Sequence, residues 1–110
     1  MAKTTATITA DGDTFICNVD KPRNFRNWFS TFLIYGTFGS GTVTLSVSPN
    51  SGTTKIPLKN NSGTAITTTS AAMFNVELGD ASHNNDQLSV YATVAGSTNA
   101  TIVVSSFSNV

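Results

Sequence analysis

Few side chains able to do chemistry occur in this chain, and they are scattered. His83 is the single histidine, in Asp80-Ala81-Ser82-His83-Asn84-Asn85-Asp86. Imidazole titrates near neutrality, and Asp80 or Asp86 could orient it for acid/base work or metal binding. Zinc wants further histidine or thiolate ligands, and no second histidine or nearby cysteine supplies them. The stretch therefore reads as a solvated loop. Asp11-Gly12-Asp13 lacks the ligand spacing of an EF-hand and reads as a turn. A glycosidase needs two carboxylates across a cleft, and nothing in the spacing of Asp11, Asp13, Asp20, Glu77, Asp80 and Asp86 favours such a pair. No glycine-rich loop ends in Lys-Ser or Lys-Thr, and no serine occupies a nucleophile elbow. The expectation is a protein without catalysis, metal or cofactor.

Lys21, Arg23 and Arg26 are the one local basic excess, and they flank Phe25 and Trp28. Cations for phosphates beside aromatics for stacking would suit a nucleic acid. The formal net charge is zero, however, so no field gathers a polyanion, and no nucleic-acid partner is expected. Arginine and aromatic residues are also enriched at protein interfaces, which makes Lys21, Arg23, Phe25 and Arg26 candidate contact residues. Cys17 is the only cysteine, so no intrachain disulfide can form. In Phe15-Ile16-Cys17-Asn18-Val19 it reads as a buried thiol acting as a small hydrophobe.

Only 11% of residues are charged, against ~25% in an ordinary soluble domain. Polarity comes instead from Thr, Ser and Asn, which with Val favour strands and turns. A length of 110 residues suits one domain, able to bury roughly two-thirds of its unfolded surface. No secretory leader pattern opens the chain and no run approaches the ~18 apolar residues of a membrane helix. A cytoplasmic start and no membrane partner are therefore expected, and the sequons at Asn60 and Asn99 are discounted.

The elements follow from hydrophobic period. Phe25 to Phe38 holds the only Trp, one of two Tyr and four of seven Phe residues. Up to about Asn27 it reads as a helical turn or loop, and beyond that as a central strand apolar on both faces and covered on both sides. Thr4–Ala10 alternates with Ala6, Ile8 and Ala10 inward, and Thr14–Val19 with Phe15, Cys17 and Val19 inward. Asp11-Gly12-Asp13 and Gly96-Ser97-Thr98-Asn99 read as hairpin turns. Thr42–Ser48 alternates cleanly with Val43, Leu45 and Val47 on one face, Ala72–Leu78 turns Phe74, Val76 and Leu78 inward, Leu88–Ala95 places Leu88, Val90, Ala92 and Val94 on one face, and Ala100–Phe107 closes the chain. Thr53–Leu58 points Ile56 and Leu58 inward, with Pro57 marking an edge. Thr64–Ser70 reads as an edge strand or a loop. Seven to nine short strands with frequent turns predict an all-β, antiparallel, jelly-roll-like β-sandwich, with a partly open barrel as the alternative.

Gly36-Thr37-Phe38-Gly39-Ser40-Gly41-Thr42-Val43-Thr44-Leu45, followed by Ser48-Pro49-Asn50-Ser51-Gly52-Thr53-Thr54-Lys55-Ile56-Pro57-Leu58, resembles a pattern in small virion proteins of tailed bacteriophages. There a glycine-rich turn leads into a strand and a Ser-Pro-Asp/Asn-x-Gly-Thr-Thr hairpin; Lys55 stands where an aromatic often follows the threonines. The resemblance spans about Tyr35 to Leu58 and transfers no catalytic residue. It implies a structural subunit, such as a capsid decoration (cement) protein on the virion surface or a neck or tail component, assembled in the host cytoplasm. The implied partners are the major capsid protein or other virion subunits, and further copies of the chain in a homo-oligomer. Thr5 and Thr7, on a low-charge N-terminal strand, join Lys21, Arg23, Phe25 and Arg26 as interface candidates. The rival reading is a carbohydrate-binding or fibre/tail module using Trp28, Tyr91 and the Gly79–Gln87 loop.

Overall fold

The computed structural model describes residues 2–20, 27–60, 62–78 and 88–109. Among them run nine strands and no helix: β1 (Ala2–Ile8), β2 (Gly12–Asn18), β3 (Trp28–Thr37), β4 (Thr42–Ser48), β5 (Ile56–Pro57), β6 (Thr67–Thr68), β7 (Ala72–Leu78), β8 (Ser89–Ala95) and β9 (Thr101–Ser108). They make two antiparallel sheets, β1-β9-β3-β7 and β2-β8-β4-β5, with β6 also paired to β4. The predicted β-sandwich is thus the observed one. Pairing is nested about the middle of the chain: β1 with β9, β2 with β8, β3 with β7, and β4 with β5 and β6. The chain is in effect a two-stranded ribbon doubled back on itself and folded so that successive pairs fall in alternate sheets.

Period-two alternation explains the core. On β3, Trp28, Ser30, Phe32 and Ile34 are buried. Trp28, Phe32 and Ile34 share one core with Ile102 and Val104 of β9, Val76 of β7, and Val43, Leu45, Val90, Ala92 and Val94 from the second sheet. Trp28 and Phe32 have no exposed surface and tilt against each other at 6.3 Å between ring centres. The fully buried aliphatic and aromatic side chains each contribute about 1.5–3 kcal/mol through removal from water.

Several expectations need correction. β3 is central in its sheet but is not covered on both sides, because no layer lies over its outer face among the described residues: Phe29 is 40% and Tyr35 46% exposed. Phe15 points outward and is 48% exposed, whereas Ile16 and Cys17 are both buried. The register shifts between Phe15 and Cys17, and this bulge inserts one residue and reverses the facing. Neither Asp11-Gly12-Asp13 nor Gly96-Ser97-Thr98-Asn99 closes a hairpin. The flanking strands belong to different sheets, so each turn is a crossover. The two are tied together: the Asp11 carboxylate accepts hydrogen bonds from the Ser97 hydroxyl, the Ser97 N–H and the Gly96 N–H, which hold it below the usual aspartate range. Ala10 is exposed at this corner rather than inward. Ile56 is 50% exposed. It pairs with Val47, itself only half-buried, at the rim of the core. Thr64–Ser70 contributes only the two residues of β6. The anticipated helical turn before Asn27 falls in 21–26, outside the described residues.

The Pro49–Lys55 loop owes its shape to side chains. The Ser48 hydroxyl accepts the Gly52 N–H at 2.7 Å, and the Asn50 amide oxygen accepts the Thr54 N–H at 2.7 Å. Lys55 donates to the Gly52 carbonyl at 2.7 Å and pairs with Asp13 at 2.9 Å. This loop lies across the outer face of the second sheet, with the Lys55 ammonium 5.6 Å from the Tyr91 ring centre. No helix among the described residues is long and apolar enough to cross a membrane.

Candidate functional site

The two outer faces differ. On the second sheet, Asp13, Thr93, Thr44 and Thr67 form one row across the strands and Phe15, Tyr91, Ser46 and Pro57 the next. Thr93 donates to Asp13 at 2.6 Å, Phe15 meets Tyr91 edge-on at 5.8 Å, and Ser46 is buried. That face is largely covered by its own contacts, and the buried Ser46 hydroxyl has no hydrogen-bond partner among the described residues.

The outer face of the four-stranded sheet carries more open apolar surface. Register puts Lys3, Phe107, Thr31 and Asn75 in one row and Thr5, Ser105, Leu33 and Met73 in the next. Thr7, Val103 and Tyr35 form a third. Phe29 and Glu77 lie beyond the first row, beside Asn109. At this end a groove of about 400 Å³ opens among Phe29, Thr31, Asn75, Glu77, Phe107 and Asn109. Its polar wall is fixed by short bonds. Asn27 donates to the Glu77 carboxylate at 2.6 Å, and Thr31 donates to the Asn75 amide oxygen at 2.9 Å. Asn109 donates to the Asn27 carbonyl at 3.0 Å. The Lys3 ammonium lies 5.3 Å from the ring centre of Phe107, a cation–π contact to one of the groove's aromatic walls. Aromatic surface beside fixed amide and carboxylate groups can hold a polar ligand with an apolar face, or a protein side chain of the same kind.

The candidate residues fall as follows. Thr5 and Thr7 are exposed on the outer face of β1, and Thr5 shares a 3.3 Å hydroxyl contact with Ser105. Lys21, Arg23, Phe25 and Arg26 lie outside the described residues, as do His83 and the loop around it. Trp28, offered for sugar stacking, is fully buried, so its ring faces no ligand. Tyr91 is half-covered by the Gly52 turn and Lys55. Sequence reasoning missed the groove. Phe29 and Phe107 lie far apart in the chain, and only the β3–β9 pairing unites them. Among the described residues, no three His, Cys, Asp or Glu side chains converge as a metal site would need.

Cys17 is buried as expected. Its thiol contacts the Ser106 hydroxyl at 3.6 Å, and Ser106 in turn meets Ser30 at 2.7 Å. Burial pushes the thiol up to about 11, the Ser106 contact opposing and the Asp20 charge reinforcing. The thiolate is the reactive form. At about pH 8 an aromatic disulfide reagent should thus label Cys17 at least about 100-fold more slowly in the native protein than in concentrated guanidinium. Equal rates in the two states would place Cys17 at the surface.

No protein-family model and no curated protein sequence matches the chain.

Proposed function

We propose that the protein is a non-enzymatic structural subunit of a tailed-phage virion, a capsid decoration (cement) protein that binds and staples the major capsid protein shell. The observation that carries this reading is the four-stranded sheet itself, which has a part-apolar outer face and long strands at both edges. Such a sheet offers backbone groups and aromatic surface to neighbouring subunits. Three features support it. The glycine-rich and Ser-Pro-Asn-Ser-Gly-Thr-Thr segments are similar to those of small virion proteins. The strand order 1-9-3-7 over 2-8-4-5 suits a jelly roll, an architecture frequent in capsid subunits. The zero net charge gives little self-repulsion when many copies crowd one lattice, where repetition turns modest contacts into firm attachment. In this reading the protein sits on the outer surface of the shell, in many copies, with no nucleic-acid or membrane partner.

The test is occupancy of purified shells that lack the protein. Deleting Met1 to Thr9, or changing Arg23 and Arg26 together to Ala, should each reduce bound copies at least about tenfold at limiting protein, as loss of interface anchors does. His83→Ala should bind like the wild type. If the two interface variants stay folded and still fill the shell, the assigned surface is wrong.

The groove favours a second reading, a carbohydrate-binding or fibre/tail module, with Phe29 and Phe107 in place of the buried Trp28. Wild-type protein that ignores shells but retains a glycan on an array, with Phe107→Ala losing it, would establish that alternative.

A further inference from the structure

The edges of the two sheets are treated differently by the sequence. Exposed edges invite pairing with other chains, and proteins blunt them with bulges, prolines and short strands. The second sheet uses all three: a bulge in β2, Pro57 in β5, and only two residues each in β5 and β6. The four-stranded sheet uses none. β1 and β7 are each seven residues long, without proline and without a register shift against their neighbours. No strand lies beyond either among the described residues. Each carries one charge, Lys3 on β1 and Glu77 on β7.

The two edges are also complementary. β1 and β7 run in opposite directions, because three antiparallel pairings separate them. β7 of one copy can therefore receive β1 of the next as an antiparallel neighbour. The Asn109 N–H donates to the Phe29 carbonyl, so the odd-numbered residues of β3 bond toward β9 and the even-numbered ones toward β7. By the same alternation, Met73, Asn75 and Glu77 turn their N–H and C=O groups away from β3. Lys3, Thr5 and Thr7 turn theirs away from β9. These are the residues whose side chains lie on the outer face, so backbone and side-chain parity agree. Only one register pairs all seven residues of each strand. It sets Lys3 opposite Glu77, Thr5 opposite Asn75 and Thr7 opposite Met73, each pair exchanging two backbone hydrogen bonds. Inward, it sets Ile8 against Ala72 and Ala6 against Phe74. Symmetric pairings waste the charges: β1 on β1 centred at Thr5 places Lys3 opposite Thr7, and β7 on β7 centred at Asn75 places Glu77 opposite Met73.

We propose that the chain self-associates head to tail, β7 of one copy pairing with β1 of the next through the Lys3–Glu77, Thr5–Asn75 and Thr7–Met73 register. The contact is heterologous, so it builds rings or open rows rather than a closed dimer. A single added strand is a small interface, so pairs form only at high local concentration, and only a closed ring adds strength beyond the single contact. The association needs no shell, and it stands whether or not the protein decorates one.

Cross-linking of purified protein at high concentration tests this directly. Thr5→Cys and Asn75→Cys place thiols on exposed residues opposite each other in the proposed register, at a Cα separation of about 5.5 Å that a disulfide can span. The native Cys17 is buried. Under mild oxidation an equal mixture of the two variants should give the covalent pair, and neither variant alone should. Thr5→Cys or Asn75→Cys cross-linking by itself would reveal a symmetric edge pairing and overturn the proposal. No cross-link in the mixture would also overturn it, whatever the outcome with shells. Independently, Lys3→Glu should weaken association in sedimentation about 5- to 10-fold, and adding Glu77→Lys to the same chain should restore it, because the pair is then reversed. Failure of the double variant to recover would break the register.

Discussion

Truncating Phe32 to alanine should lower stability by about 3–5 kcal/mol, the cost usual for a large buried aromatic. A small domain has only about 5–15 kcal/mol in all, so this one change approaches global unfolding. The reason is position. Phe32 has no exposed surface, stands opposite Phe74 on β7 and Ser106 on β9, and packs on Trp28. A cavity there is walled by both sheets, and backbone ladders on either side of β3 keep it from collapsing. Leu45→Ala should cost about 2–5 kcal/mol, and Val76→Ala and Val90→Ala fall at or below the low end, since less volume is lost. Tyr35→Ala, two positions away from Ile34's neighbour Leu33 on the open face and 46% exposed, should stay within about 0.5 kcal/mol. Urea titrations separate these outcomes. Changes below about 0.5 kcal/mol at Phe32, Leu45, Val76 and Val90 together would mean that the inner faces are assigned backwards.

What the sequence makes legible follows from where its signals are unambiguous. In β4 apolar and polar residues alternate strictly, and in β7 and β8 one parity is wholly apolar (Ala72, Phe74, Val76 and Leu78; Val90, Ala92 and Val94), so their core faces read directly from period two. β2 offers no such signal: Phe15, Ile16, Cys17 and Val19 are apolar in both parities, and a bulge decides between them. The turns are legible as turns, yet glycine and aspartate chemistry looks alike in a hairpin and in a crossover. Which one forms depends on strand partners far along the chain, as with β1 choosing β9 over β2. β3 misleads for a related reason. Its aromatic outer residues suggest a covering layer, but they form an open face, and that face is where the candidate groove lies. The groove was invisible because its walls come from β3, β7 and the end of β9, brought together only by register.

The second large effect should come from one methyl group. Gly36 sits at the end of β3 with φ of 115°, a region in which L side chains are strained. A Cβ added there would press against the Thr101 carbonyl oxygen of the paired strand, inside van der Waals contact. Backbone strain costs about 1–3 kcal/mol on its own. The clash adds to it, because the obstructing atom is backbone in a ladder rather than the tip of a movable side chain. Gly36→Ala should thus destabilise by about 3 kcal/mol or more. Gly39, three residues on, repeats the arrangement one turn later. Its φ is 55°, its carbonyl accepts the Thr98 N–H at 2.9 Å, and a Cβ would strike the Thr98 carbonyl. The β3–β4 and β8–β9 crossovers therefore pack backbone on backbone at this end of the sandwich, which is why glycine is needed at Gly39, on the β3–β4 side. Gly63 is the control. It also has positive φ, at 78°, but a Cβ there meets nothing within 4 Å, so alanine should cost only about 1–2 kcal/mol of conformational strain. The difference between Gly36→Ala and Gly63→Ala in denaturant titration isolates the close approach from the dihedral. If the two variants lose the same stability, β9 does not run against the end of β3, and the interlock of the two crossovers is wrong.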